Sequence, residues 1–359
     1  MSTPTAPRRI LIVRFGAMGD LVLTTPVIRA LRRQWPQAEI SYIVGRGLAD
    51  TLRGHPDLAE VIEFDKREDA RPARLLAFLK RIRARRYDLF VNLQRSVKTV
   101  LIGAASGAPL KVTYRRDGRV QPGSGQRLHA VENFLRTLAP LGITAEAQAA
   151  VGRHLDFVWP QSALSTVESL LDGHGLGAGR PLVLVNPGAS APSRQWPVSQ
   201  LAACLDEVAT AHPDWGLALI GGRGADQQTA KETLAAMRQP GRVVDLVAAV
   251  DLKQTGALLA RADALVTMDT GPMHIAAAVG TPLVGLFGAT AVDRTGPTPP
   301  PPGSRGVLPL ALVHREGLDC VPCEQRECRR GDLACLARQS PAAVRDAVER
   351  QLAAGRRAG

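Results

Sequence analysis

A chain of 359 residues with 45% hydrophobic content has enough apolar material for two ordinary cores, and it contains no apolar run of membrane-spanning length. Five cysteines are too few for a disulfide scaffold, and an aromatic content of only 4% predicts aliphatic cores. The formal net charge of +12 turns attention to anionic partners.

The first ten residues, MSTPTAPRRI, lack the apolar segment of a secretory leader, so the expected location is the cytoplasm. Arg9–Phe15 reads as a strand. It is followed by the loop Gly16-Ala17-Met18-Gly19-Asp20 and a helix, LVLTTPVIRALRRQW, in which Pro26 predicts a kink. Glu39–Val44 is the second strand. This βαβ opening invites a dinucleotide-binding reading, but the loop offers two glycines instead of three. The second strand also ends in Gly45-Arg46, where a ribose-binding acid is expected, so a nicotinamide enzyme is rejected. Asp20 at the strand-to-helix turn suits either a helix cap or a general base.

Val61–Phe64 is a strand and Arg71–Arg86 a basic helix. The strand Tyr87–Leu93 delivers Gln94-Arg95-Ser96 to a sheet edge, Arg115–Gln126 is a basic glycine-rich loop, and Leu128–Leu141 returns to helical periodicity. Between Asp65 and Arg136 there are 17 Lys and Arg residues against 6 Asp and Glu. That excess fits lipid phosphates, an acidic glycolipid or nucleic acid, or else a solvated arginine-rich face. Nucleic acid is disfavoured because no aromatic residues interleave the charges. One short helix and the stretch HGLGAGR lie between Val158 and Arg180, where the domain boundary is expected.

The α/β alternation then restarts with strands at Leu182–Asn186, Gly216–Ile220 and Arg242–Leu246 and helices at Ser199–Ala211, Thr229–Met237 and Lys253–Ala260. The most informative stretch is Ala264–Gly288, ALVTMDTGPMHIAAAVGTPLVGLFG. A buried strand turns at Asp269-Thr270-Gly271 into a helix with Pro272 in its first turn. Three alanines keep that helix slim, and Leu283–Phe287 forms the next parallel strand. A helix start at the carboxyl edge of a parallel sheet binds anions. Asp269, Thr270 and His274 beside it suggest a phosphorylated, hydroxyl-rich ligand, with an ordinary N-cap as the alternative. A proline-rich loop follows, and then Cys320, Cys323, Cys328 and Cys335. Their spacing leaves open a zinc site, reduced thiols or a disulfide. Ala342–Leu352 is a closing helix.

Taken in order, FGAMGDLVLTTPVIRALR, NPGAS, RQWP and MDTGPMHIAAAVGTPLVGLFG resemble the heptosyltransferases of glycosyltransferase family 9, over nearly the whole chain. The resemblance implies an α/β GT-B fold, with two Rossmann-like doubly wound domains facing across a cleft. Residues 1–160 would form the acceptor domain, 161–180 a linker, 181–338 the nucleotide-sugar domain, and 339–359 a helix packing back on the first domain. It implies an inverting transferase with no metal or other cofactor, moving a heptose from ADP-L-glycero-β-D-manno-heptose to the phosphorylated inner core of lipopolysaccharide, peripherally at the cytoplasmic face of the inner membrane. Carried over by position, Asp20 is the general base. Arg194 (Lys in many members) binds the diphosphate, Thr270 and Gly271 offer it helix-terminal N–H groups with His274 nearby, Ser190 is assigned to the donor, Asp269 meets sugar hydroxyls or orients the basic residue, and Asp226 meets the ribose. Arg95, Arg115 and Arg116 are assigned to the acceptor. Val247-Ala248 departs from an Ala-Gly common in the family. The alternatives are a transferase for another nucleotide-sugar or a non-catalytic binding or assembly protein of the same fold, which would have no need of Asp20.

Overall fold

The computed structural model describes residues 6–115, 127–304 and 307–358. The chain divides into two compact units, Met1–Val158 and Trp159–Gly359.

The first unit runs β1 (Arg9–Val13), α1 (Met18–Val22), α2 (Thr25–Gln34), β2 (Glu39–Gly45), β3 (Glu60–Phe64), α3 (Pro72–Ala84), β4 (Leu89–Asn92), α4 (Val97–Ala105), β5 (Leu110–Thr113), α5 (Ala130–Arg136) and α6 (Ala145–Val151). Its sheet is wholly parallel, in the order β3-β2-β1-β4-β5. Residues Ile10–Val13 are fully buried, as a strand covered on both faces requires. The expected long helix after β1 is instead two helices. Pro26 sits in the first turn of α2, where its missing N–H is harmless, so the chain breaks at Leu23-Thr24 and no kinked helix forms.

The second unit runs α7 (Gln161–Gly173), β6 (Leu182–Val185), α8 (Val198–Ala211), β7 (Gly216–Leu219), α9 (Ala225–Ala236), β8 (Val243–Asp245), α10 (Leu252–Arg261), β9 (Ala264–Met268), α11 (Gly271–Val279), β10 (Leu283–Phe287), α12 (Val292–Thr295), β11 (Leu310–Val313), α13 (Ala334–Ala337) and α14 (Pro341–Ala358). Its parallel sheet has the order β11-β10-β9-β6-β7-β8, the doubly wound arrangement of dinucleotide-binding folds. The helix α11 ends at Gly280, whose φ of +77° is the left-handed cap conformation that favours glycine.

Residues 161–173, expected as part of a linker, form α7, which buries Ala163, Val167 and Leu171 and packs on α10. The closing helix α14 packs on α8, β9, β10 and β11 of its own unit. Val344, Ala347, Val348 and Leu352 are buried in the same core as Val183, Val266 and Leu286. Each large apolar side chain buried there contributes about 1.5–3 kcal/mol, which is enough to fix the helix in place.

Candidate functional site

In each unit the strand order reverses at one point, and the loops leaving the two strands on either side of it meet at the carboxyl edge. In the first unit those strands are β1 and β4. Asp20 lies in the first turn of α1 and its Oδ2 accepts the Ala17 N–H at 3.3 Å. The same oxygen is 2.8 Å from Nη2 of Arg14, a residue the sequence reading passed over. Arg14 also donates to the Leu93 carbonyl at 2.6 Å and stacks its guanidinium 4.7 Å from the Phe134 ring centroid. The Arg14 side chain is 12% exposed and that of Asp20 39%, so the pair presents its carboxylate to solvent. Beside it, Arg14, Leu93, Gln94, Arg95, Tyr114 and Arg115 line an open hollow of about 610 Å³. Gln94 fixes the loop after β1 by accepting the Phe15 N–H. Arg95 and Arg115 are exposed there, whereas Arg116 and residues 117–126 of the expected basic loop lie outside the described residues.

In the second unit the strands are β6 and β9. Asn186, just past β6, donates to Thr270 Oγ1 at 3.1 Å and accepts the Gly188 N–H at 3.1 Å, tying the two loops together. Thr270 is the residue before α11, yet its hydroxyl is committed to Asn186 and Thr267, and no side chain caps the helix. The N-cap alternative for Thr270 therefore fails, and the first-turn N–H groups keep their capacity for an anion. Asp269 is buried. Its Oδ2 lies 3.4 Å from Arg194 Nη1 and 3.5 Å from the Thr295 hydroxyl. Arg194 Nη1 also donates to Ser190 Oγ at 3.2 Å. Here the carboxylate is 8% exposed and the guanidinium 28%, so this pair presents its cation. His274 is buried in α11.

Asp226 sits in the first turn of α9. Its Oδ2 accepts the Gly222 N–H at 2.7 Å, and its carboxylate lies so close to Gly188 that a Cβ there would overlap Oδ1. One of its oxygens is thus spent on holding the turn after β7. Ala248 adopts φ +61°, the left-handed backbone conformation that favours glycine.

The cysteine segment braces the Arg194 loop, since Ser193 N–H donates to the Arg326 carbonyl and Ser193 Oγ to the Gln325 carbonyl. All four cysteines line one hollow of about 300 Å³. Burial, with the neighbouring Cys323, Cys328 and Cys320, pushes the Cys335 thiol up. No disulfide joins them, and among the described residues no group of three or more side chains is arranged to hold a metal ion. Neither His129 nor Glu132 joins the Asp20 pair. His129 Nδ1 accepts the Val131 N–H at the start of α5, and Glu132 pairs with Arg153.

Two doubly wound parallel-sheet units, each with an arginine–aspartate pair at its switch point and the second with an uncapped helix start, define a glycosyltransferase of the GT-B class. The chain belongs to glycosyltransferase family 9 (heptosyltransferase), whose profile matches residues 75–332. It is 26% identical to lipopolysaccharide heptosyltransferase 3 of Escherichia coli over 284 residues, which cover 76% of this chain and 81% of that protein. Its fold is that of E. coli ADP-heptose lps heptosyltransferase II, with a TM-score of 0.75, 22% identity, and coverage of 96% and 98% of the two chains. It also matches E. coli heptosyltransferase WaaC with ADP, at a TM-score of 0.65, 19% identity and coverage of 96% and 99%.

Proposed function

We propose that this enzyme transfers a heptose from ADP-L-glycero-β-D-manno-heptose to the inner core of lipopolysaccharide, inverting the anomeric centre and needing no metal ion. The observation that carries this reading is the opposite exposure of the two arginine–aspartate pairs, an available carboxylate in the first unit and an available cation in the second. The names of the relatives support the donor and the acceptor class.

Cleaving a sugar from ADP requires the developing diphosphate charge to be neutralised. Arg194 and the open first turn of α11, with the N–H groups of Gly271 and Met273, do this, and Ser190 and Asp269 hold the guanidinium. Thr270 sets the loop, His274 backs the helix start, and Asp226 keeps its remaining oxygen for the ribose. Asp20 accepts the proton of the acceptor hydroxyl, with Arg14 positioning it. Its proton transfer follows most of the carbon–oxygen cleavage. Arg95 and Arg115, with Arg116, meet the phosphates of the lipid A–core acceptor. The first unit then serves the acceptor and the second the nucleotide-sugar, peripherally at the cytoplasmic face of the inner membrane and without nucleic acid.

The test is thermal stabilisation by ADP, UDP, GDP and CMP, followed by heptose transfer with and without chelator. ADP at a hundred times its Kd should add about 2.7 kcal/mol, with the other nucleotides well below it. Preference for a different base, or transfer lost on chelation, would refute the donor or the metal assignment respectively.

A further inference from the structure

Five large apolar side chains stand exposed among the described residues, and four of them belong to α3 and α4 of the first unit: Leu76, Val97, Val100 and Leu101. Amphipathic helices normally turn such residues inward. The inward face of α4 is instead built from Thr99, Ile102 and Gly103, with Gly103 so close to the Phe90 ring that a Cβ would overlap it. Val97, Val100 and Leu101 recur at helical spacing on the outward side, beginning two residues after Arg95 at the rim of the acceptor hollow. The two helices pack against each other, so their outer surfaces adjoin.

The charge around this stripe is of one sign. Neither α3 (PARLLAFLKRIRA) nor α4 (VKTVLIGAA) contains an acidic residue. Glu68, just before α3, takes up Arg71 and Arg74, and Glu60 takes up Arg85. Lys80 and Arg81 are exposed, Lys98 is half-buried, and none of the three has a carboxylate partner among the described residues. A second copy of this chain laid on the same face would set like charges together. An anionic bilayer surface supplies what the face lacks, headgroup phosphates for the cations and an acyl boundary for the apolar stripe.

We infer that the α3–α4 face is the membrane-docking surface. Val97, Val100, Leu101 and Leu76 enter the acyl boundary, Lys80, Arg81 and Lys98 bind lipid phosphates, and the acceptor hollow is held at the level of the headgroups. This deepens the proposed function, on which it rests only for the placing of the acceptor.

The test is flotation of the full chain with vesicles of phosphatidylethanolamine and phosphatidylglycerol, compared with phosphatidylcholine alone. V97S/V100S/L101S should weaken partition at least about tenfold, and K80Q/R81Q/K98Q on the order of a hundredfold at low salt. Both variants should keep the far-UV circular dichroism of the parent, and V97S/V100S/L101S should turn over a deacylated core oligosaccharide at the parent rate while slowing on the same acceptor in vesicles. Undiminished flotation of either variant, equal binding of the parent to phosphatidylcholine, or a change from dimer to monomer in V97S/V100S/L101S would overturn the assignment. Failure of the parent to use the deacylated acceptor would instead strike the proposed function, leaving the flotation result to judge the surface.

Discussion

The two units place an arginine–aspartate pair at the same topological position and turn it opposite ways. In the first, Arg14 is locked between the Leu93 carbonyl and the Phe134 ring, and Asp20 faces outward. In the second, Asp269 is locked beneath Arg194 and Thr295, and the guanidinium faces outward. A doubly wound sheet therefore fixes where a charged pair stands, and the packing around it decides which charge is offered to a ligand.

The largest effect expected from breaking this contrast is at Asp20. Asp20→Asn keeps the acceptor for the Ala17 N–H and removes the basicity, so turnover should fall about 10²–10⁴-fold with ADP affinity unchanged. Near-normal turnover, measured by steady-state transfer, would make Asp20 a turn residue only.

Arg194→Ala comes next. Losing a charge-assisted contact to the diphosphate should cost about 1.5–3 kcal/mol, or roughly ten- to a hundredfold in donor affinity by calorimetry. Because Asp269 is left buried without its cation, the melting temperature should also drop. Arg194→Lys should recover part of both. An Ala variant that binds ADP like the parent would mean that α11 alone holds the phosphates.

A third test separates the units by pH. In the first unit Asp156 is pushed up by burial, but His55, whose Nε2 lies 3.6 Å away, and the charge of Arg29 outweigh this and hold it below the ordinary carboxylate range. A depressed folded-state pKa gives stability that is present above the unfolded value, about 3.9, and lost as pH falls through the lower folded value. Acid titration of the parent should therefore show a loss of stability below about pH 4 that Asp156→Asn lacks. Superimposable titrations would dismiss the pair as a source of acid lability.

The smallest effect is at Ala248, in the second unit alone. Its left-handed backbone costs an L-residue about 1–2 kcal/mol, and glycine returns part of that as unfolded-state entropy. Ala248→Gly should raise stability by somewhat under about 1 kcal/mol in denaturant titration. A loss of stability would show that the Ala248 methyl group contributes packing that outweighs its strain.

The sequence by itself determined the β9–α11–β10 stretch down to its strand bounds, because long buried apolar runs, an early proline and a glycine stop all agree there. It also carried the two-unit α/β plan and the presence of Asp20, Arg194, Asp269 and Thr270 in the segments that follow β1, β6 and β9. It gave no sign of α4, whose apolar stripe faces outward and so blurs the pattern that marks a surface helix, nor of the short edge strands β5 and β11 with their mixed burial. Tertiary structure alone decided the partners. Arg194 meets Asp269 because β6 lies beside β9 in the sheet, and Arg14 reaches Asp20 because Phe134 and Leu93 fix its guanidinium. Which member of each pair is exposed depends on neighbours distant in the chain, and local propensity carries no information about them.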